Sequence, residues 1–137
     1  TDCSLERGLI EGISHVTLGG SDLSAAEAVA HMASDPVLVT SALTAIEVRR
    51  NLTRILTDDL EVLRARLVVD LDAFAVIPLD AQVCAEAARI AEKTLCRSLD
   101  SIHLAAARRA GSATTVLTFD QRQAEAARSI GLSVIGC

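Results

Sequence analysis

ATTVLTFDQRQAEAARSIGLSVIGC, residues 113–137, is the stretch on which the fold reading turns. ATTVLTF (113–119) is short, apolar and rich in β-branched residues, the composition of a buried strand. DQRQAEAARSIG (120–131) changes to helix formers, opens on Asp120 at a capping position and closes on Gly131. LSVIGC then returns to strand character. A strand, a helix and a second strand in this order make a crossover unit, and a crossover joins parallel strands.

Upstream the alternation repeats. DPVLVTS (35–41) is a turn followed by a short apolar strand, and FAVIPL (74–79) is a further strand candidate. Between them, ALTAIEVRRNLTRIL (42–56) places Ala45, Val48, Leu52, Ile55 and Leu56 on one helical face. DDLEVLRARLVVDLD (58–72) repeats Leu60, Leu63, Leu67 and Leu71 at helical spacing. DAQVCAEAARIAEKTL (80–95) reads as a helix begun by Asp80 as N-cap. RSLDSIHLAAARRAG (97–111) reads as another, with Ser98 as N-cap and Asp100 in a first turn that favours negative charge. Helices between short apolar strands imply an α/β fold with a parallel sheet covered on both faces. No linker, repeat or low-complexity tract divides the chain, so residues 1–137 are expected to form one domain.

Half the residues are hydrophobic, which excludes a disordered, purely solvating chain. No apolar run approaches the ~18 residues of a membrane span. TDCSLERGLIEG at the start shows neither the basic nor the apolar region of a signal peptide. A soluble, cytoplasmic protein without membrane contact is expected. Cys3, Cys84, Cys96 and Cys137 are scattered, with no CxxC or zinc-type Cys/His spacing, and read as small buried hydrophobes. The net charge of −5 argues against nonspecific adhesion to nucleic acid. It leaves room for a nuclease in which a divalent cation supplies positive charge beside the phosphate.

In parallel α/β folds the chemistry sits beyond the carboxyl ends of the strands. Asp120 stands there, directly after VLTF. With Gln123 three residues on it also fits a capping box, and the two roles are compatible because a carboxylate has several lone pairs. Thr118, two residues earlier on the strand, points to the same face. Glu47 lies one and a half turns into the helix after strand 37–40, off the Val48/Leu52/Ile55 stripe. Structural readings for it are a pair with Arg50 and a Thr44–Glu47 capping box. His103, one turn after Asp100, and His15 and His31 have no local partner pattern and read as packed or exposed imidazoles. Asp2 opens a short DCS stretch before LERGLIEG, itself helix-like.

Taken in order, D-C-S (2–4), E-V-R-R-N-L (47–52), L-D-S-I-H-L-A (99–105) and T-F-D (118–120) resemble the motifs of the PIN-domain ribonucleases, and among them the bacterial VapC toxins of toxin–antitoxin systems. The last two motifs are the most specific, and the resemblance runs well from about residue 36 to 137. It implies a three-layer α/β/α sandwich around a central parallel sheet of four to five short strands. It also implies a four-carboxylate site for Mg²⁺ or Mn²⁺, here Asp2, Glu47, Asp100 and Asp120, with Ser4 and Thr118 as polar supports. Mg²⁺ takes oxygen ligands, keeps several waters and is usually held by one or two carboxylates directly, so the others would hold its water shell. The activity implied is a metal-dependent endoribonuclease cleaving a structured cellular RNA. The implied partners are a cognate antitoxin that blocks the acidic groove and a second copy in a homodimer.

The chain departs from the family pattern between Asp2 and Glu47. That span is longer than expected, makes the region 1–35 atypical, and contains the Gly-bearing piece HVTLGGSDLS (15–24). Asp22, after the possible strand VTL, is therefore a rival for the first acidic position. The departure also motivates an alternative function, a catalytically impaired PIN-like binding or assembly module. Other phosphate chemistries lack their residues. No Lys follows a late strand as in a receiver domain, D-x-S replaces the D-x-D of a haloacid-dehalogenase-type phosphatase, and neither Walker A nor G-x-G-x-x-G occurs.

Overall fold

The computed structural model of the protein describes residues 38–55, 60–118 and 120–136. The expectations on Asp2, Ser4, Asp22 and the helix-like LERGLIEG lie outside these residues.

β1 (Leu38–Ser41) leads into α1 (Leu43–Ile55) and α2 (Leu60–Asp72). The chain then returns as β2 (Phe74–Ile77), parallel to β1 with Leu38 opposite Phe74 and Ser41 opposite Ile77. Pro78 follows directly and, having no N–H, cannot extend the ladder, so FAVIPL ends as a strand at Ile77. α3 (Ala81–Thr94) and α4 (Ser98–Ala110) come next. β3 (Thr115–Leu117), α5 (Gln121–Ser129) and β4 (Ser133–Ile135) follow, with β3 parallel to β4 from Thr115 opposite Ser133 to Leu117 opposite Ile135. The strand–helix–strand crossover predicted for 113–137 is thus formed.

The α/β class and the parallel pairing hold, but the continuous sheet of four to five strands and the three-layer sandwich do not appear among the described residues. These form two separate parallel pairs, β1–β2 and β3–β4, and α4 packs against β1, β2 and β3. Periodicity identifies a strand by its own residues, whereas sheet membership depends on neighbours remote in sequence.

Two apolar clusters hold the elements in place. Val48 and Leu52 of α1 meet Leu67 of α2, with Leu60, Leu63, Leu71 and Phe74 packed around them. The larger cluster joins Val83, Ala87 and Ile90 of α3 to Leu104 and Ala105 of α4, Val116 of β3, Ala126 and Ala127 of α5, and Leu132. Burying a side chain such as Leu104 or Ile90 contributes about 1.5–3 kcal/mol.

Local signals fix the helix ends. Asp80 caps α3 as expected, its Oδ1 accepting the Val83 N–H at 2.9 Å. At the end of α5 the Gly131 N–H donates to the Arg128 carbonyl and the Leu132 N–H to the Ala127 carbonyl, each at 3.0 Å. This is the Schellman pattern, and it requires the positive φ of 87° that Gly131 adopts. Ser98 is not the N-cap of α4. Arg97 holds that position with extended backbone, its carbonyl accepting the first helical bond from the Ser101 N–H, and Ser98 is already helical. Asp100 keeps its place in the first turn.

Candidate active site

Asp100 is 8% exposed, and its Oδ2 accepts a hydrogen bond from Nε of Arg97 at 3.2 Å. The same guanidinium donates through Nη2 to Oδ2 of Asp120, also at 3.2 Å. One planar cation therefore bridges two carboxylates that lie at the N-terminal ends of α4 and α5. Asp120 divides its oxygens between two tasks. Its Oδ1 caps α5, accepting the N–H groups of Arg122 at 2.8 Å and Gln123 at 3.3 Å, while Oδ2 faces Arg97. The cap read from the sequence is formed, and it leaves the second oxygen of the same side chain for another partner.

Burial pushes the Asp100 carboxyl above the usual carboxylate range. The hydrogen bond and charge of Arg97 pull it back in part, and the charge of Asp120 pushes it up again. Arg97 is held more firmly protonated, first by its hydrogen bond and charge interaction with Asp100 and then by the charges of Asp120 and Glu47. Three carboxylates thus act on a single cation.

Glu47 does not take the local partners its spacing offers. It bonds through Oε1 to Nε2 of His103 on α4, whose Nδ1 stands 3.0 Å from Oγ of Ser41 at the end of β1. The expected Thr44–Glu47 capping box is absent because Thr44 is fully buried and bonds to Thr40 at 2.7 Å. Ser41 Oγ meets the Leu43 N–H at the helix start instead, at 3.2 Å. Arg50 donates to Asn51. The second predicted capping box is half formed. Asp120 accepts from the Gln123 N–H, but the Asp120 N–H donates to Oγ1 of Thr118 at 3.1 Å, and the buried Gln123 Oε1 has no partner among the described residues. Thr118, fully buried, thereby fixes the backbone of Asp120.

Arg97, Ser41 and the bonding role of His103 escaped the sequence reading. His103 meets its partners across 62 and 56 residues, beyond any periodic pattern. Arg97 left one local trace, its i, i+3 spacing to Asp100 at a helix start.

Among the described residues, no three His, Cys, Asp or Glu side chains are grouped closely enough to hold a metal ion between them. Two of the carboxylates are turned to Arg97 and the third to His103. The donor set nonetheless suits a hard cation. It is all carboxylate oxygen, Arg97 stands in as a cation between Asp100 and Asp120, and Mg²⁺ needs only one or two such ligands beside its waters.

Parallel strand–helix units with carboxylates gathered at helix starts define the class. The sequence pattern of the PIN domain matches residues 13–129, and the chain belongs to the PIN domain family. The match includes Asp22, Glu47, Asp100 and Asp120, while Asp2 and Ser4 precede it. Ribonuclease VapC35 of Mycobacterium tuberculosis (strain CDC 1551 / Oshkosh) is 38% identical over 100 residues, covering 71% of this chain and 70% of the relative. The protein of the same name from strain ATCC 25618 / H37Rv matches to the same extent. No solved structure gives a significant match.

Proposed function

We propose that the protein is a metal-dependent endoribonuclease, the toxin of a toxin–antitoxin pair, with Glu47, Asp100 and Asp120 as its acidic centre. The observation that carries this reading is the Arg97 guanidinium bonded to both Asp100 and Asp120, a cation where a nuclease of this family would place its metal. Mg²⁺ or Mn²⁺ bound there would activate a water and neutralise charge developing on the phosphodiester. Asp100 and Asp120 offer one oxygen each to the ion, and Asp120 does so without giving up its helix cap. Glu47 holds water at the edge of the centre. Arg97, freed from the two aspartates, presents a planar fork suited to a phosphate oxygen. Asp2 of the D-C-S motif, with Ser4 beside it, supplies the fourth carboxylate, and Asp22 is its rival.

The relatives' name, ribonuclease, supports RNA as substrate, a structured cellular RNA in this proposal. A cognate antitoxin would cover the acidic groove, and Ile46, which precedes Glu47 and is 65% exposed, offers apolar area for a protein partner. A homodimer in the cytoplasm completes the reading. It is supported by the resemblance to the VapC toxins.

Calorimetry with Mn²⁺ tests the metal centre. The full chain should bind Mn²⁺, and Asp100→Asn should abolish or strongly weaken that binding. Whichever of Asp2→Asn and Asp22→Asn weakens it identifies the fourth carboxylate. An intact fold that binds no Mn²⁺ would instead establish the impaired binding module.

A further inference from the structure

We infer that His103, anchored by Ser41, is a positioning residue that holds the Glu47 carboxylate in place for the metal centre; this role rests on the metal-nuclease reading above. His103 is 6% exposed and lies on α4 three residues after Asp100, so the helix that carries one carboxylate also holds another.

Proton accounting sets the direction of the chain of bonds. An ionised Glu47 only accepts, so the proton lies on Nε2 of His103 and is donated to Oε1. In the tautomer this assigns, Nδ1 is an acceptor. Ser41 Oγ takes the Leu43 N–H with one lone pair and has one proton to give, which it donates to Nδ1 over 3.0 Å. Both ring nitrogens are satisfied, and the imidazole is clamped between the exit of β1 and the first turns of α1. Glu47 would otherwise be a flexible side chain on a helix surface, one-third exposed. Fixing Oε1 removes much of that freedom and leaves the second oxygen for the metal's water shell. Removing an outer-shell partner of a metal site commonly changes metal affinity about 10- to 100-fold.

Two measurements on the full chain test the role. In the wild type, the ¹⁵N shifts of the His103 ring at neutral pH should show a protonated Nε2 bonded to carboxylate and an acceptor Nδ1. A bare Nε2 would overturn the proposal without any variant having to fold. By Mn²⁺ calorimetry, His103→Leu should weaken binding about tenfold. His103→Gln, whose amide nitrogen can still reach Glu47, should recover most of that loss, and His103→Asn should not. In a Glu47→Gln background, His103→Leu should have little further effect. Equal weakening in both backgrounds would show a merely structural histidine and overturn the role alone. A wild type that binds no Mn²⁺ would overturn the metal centre, and the positioning role with it.

Discussion

Asp100 carries a charge that its surroundings oppose. Burial outweighs the partial relief from Arg97, so its folded carboxyl titrates above the ordinary range. For such a group the favourable contribution to stability is complete below the unfolded pKa and is lost as pH rises through the higher folded value. Metal-free wild type should therefore lose stability relative to Asp100→Asn as pH rises from acid to neutral. Thermal denaturation of both proteins across pH would record the change in their difference. Added Mn²⁺ should raise the melting temperature of the wild type and leave the variant unchanged, since a ligand stabilises only the state that binds it. Arg97 belongs to the same balance. It is 69% exposed in both of its ion pairs, and exposed pairs contribute roughly 0.2–1 kcal/mol each. Arg97→Gln should tighten Mn²⁺ binding by about two- to thirtyfold by calorimetry, because the ion no longer displaces a cation from two pairs. Unchanged or weaker binding would mean that Arg97 is no competitor for the ion.

At the scale of an element, the start of α5 gives the two oxygens of one residue separate partners. Asp120 caps the helix with Oδ1 and meets Arg97 with Oδ2. Asn caps as well as Asp, whereas Ala does not. Asp120→Asn should keep wild-type stability in chemical denaturation while losing RNA cleavage. Asp120→Ala should lose cleavage and also about 1 kcal/mol of stability. A destabilised Asn variant would show that the ion pair with Arg97, not the cap, supports the helix. The cap was legible in the sequence because its signal is local, a capping residue directly before a helix, whereas the Arg97 partner, 23 residues away, was not. The Asp80 cap and the Gly131 ending were legible for the same reason. The capping boxes were less so. Local spacing permits a Thr44–Glu47 bond, but Thr40 and His103 arrive through tertiary folding and take both side chains.

Across the whole molecule, the sequence reveals the parallel crossovers and the stripes Val48/Leu52 and Leu60/Leu63/Leu67/Leu71, which form the smaller core. It does not reveal how α4 links the two strand pairs, since that depends on which remote elements the Ala- and Leu-bearing faces of α4 meet. The same helix carries Asp100 and His103 to the carboxyl ends of β1 and β3, where Ser41 and Asp120 stand. Packing of α4 thus brings Asp100 and His103 beside partners from β1, α1 and the start of α5, the arrangement on which the proposed acidic centre rests. The most direct test is cleavage of a structured RNA by the purified full chain, with Mg²⁺ or Mn²⁺ and with EDTA, beside Asp100→Asn. The wild type should cleave in a metal-dependent way and not at all with EDTA, and the variant should lose at least about a hundredfold. Equal cleavage by wild type and Asp100→Asn, or cleavage that persists in EDTA, would contradict the proposed metal centre.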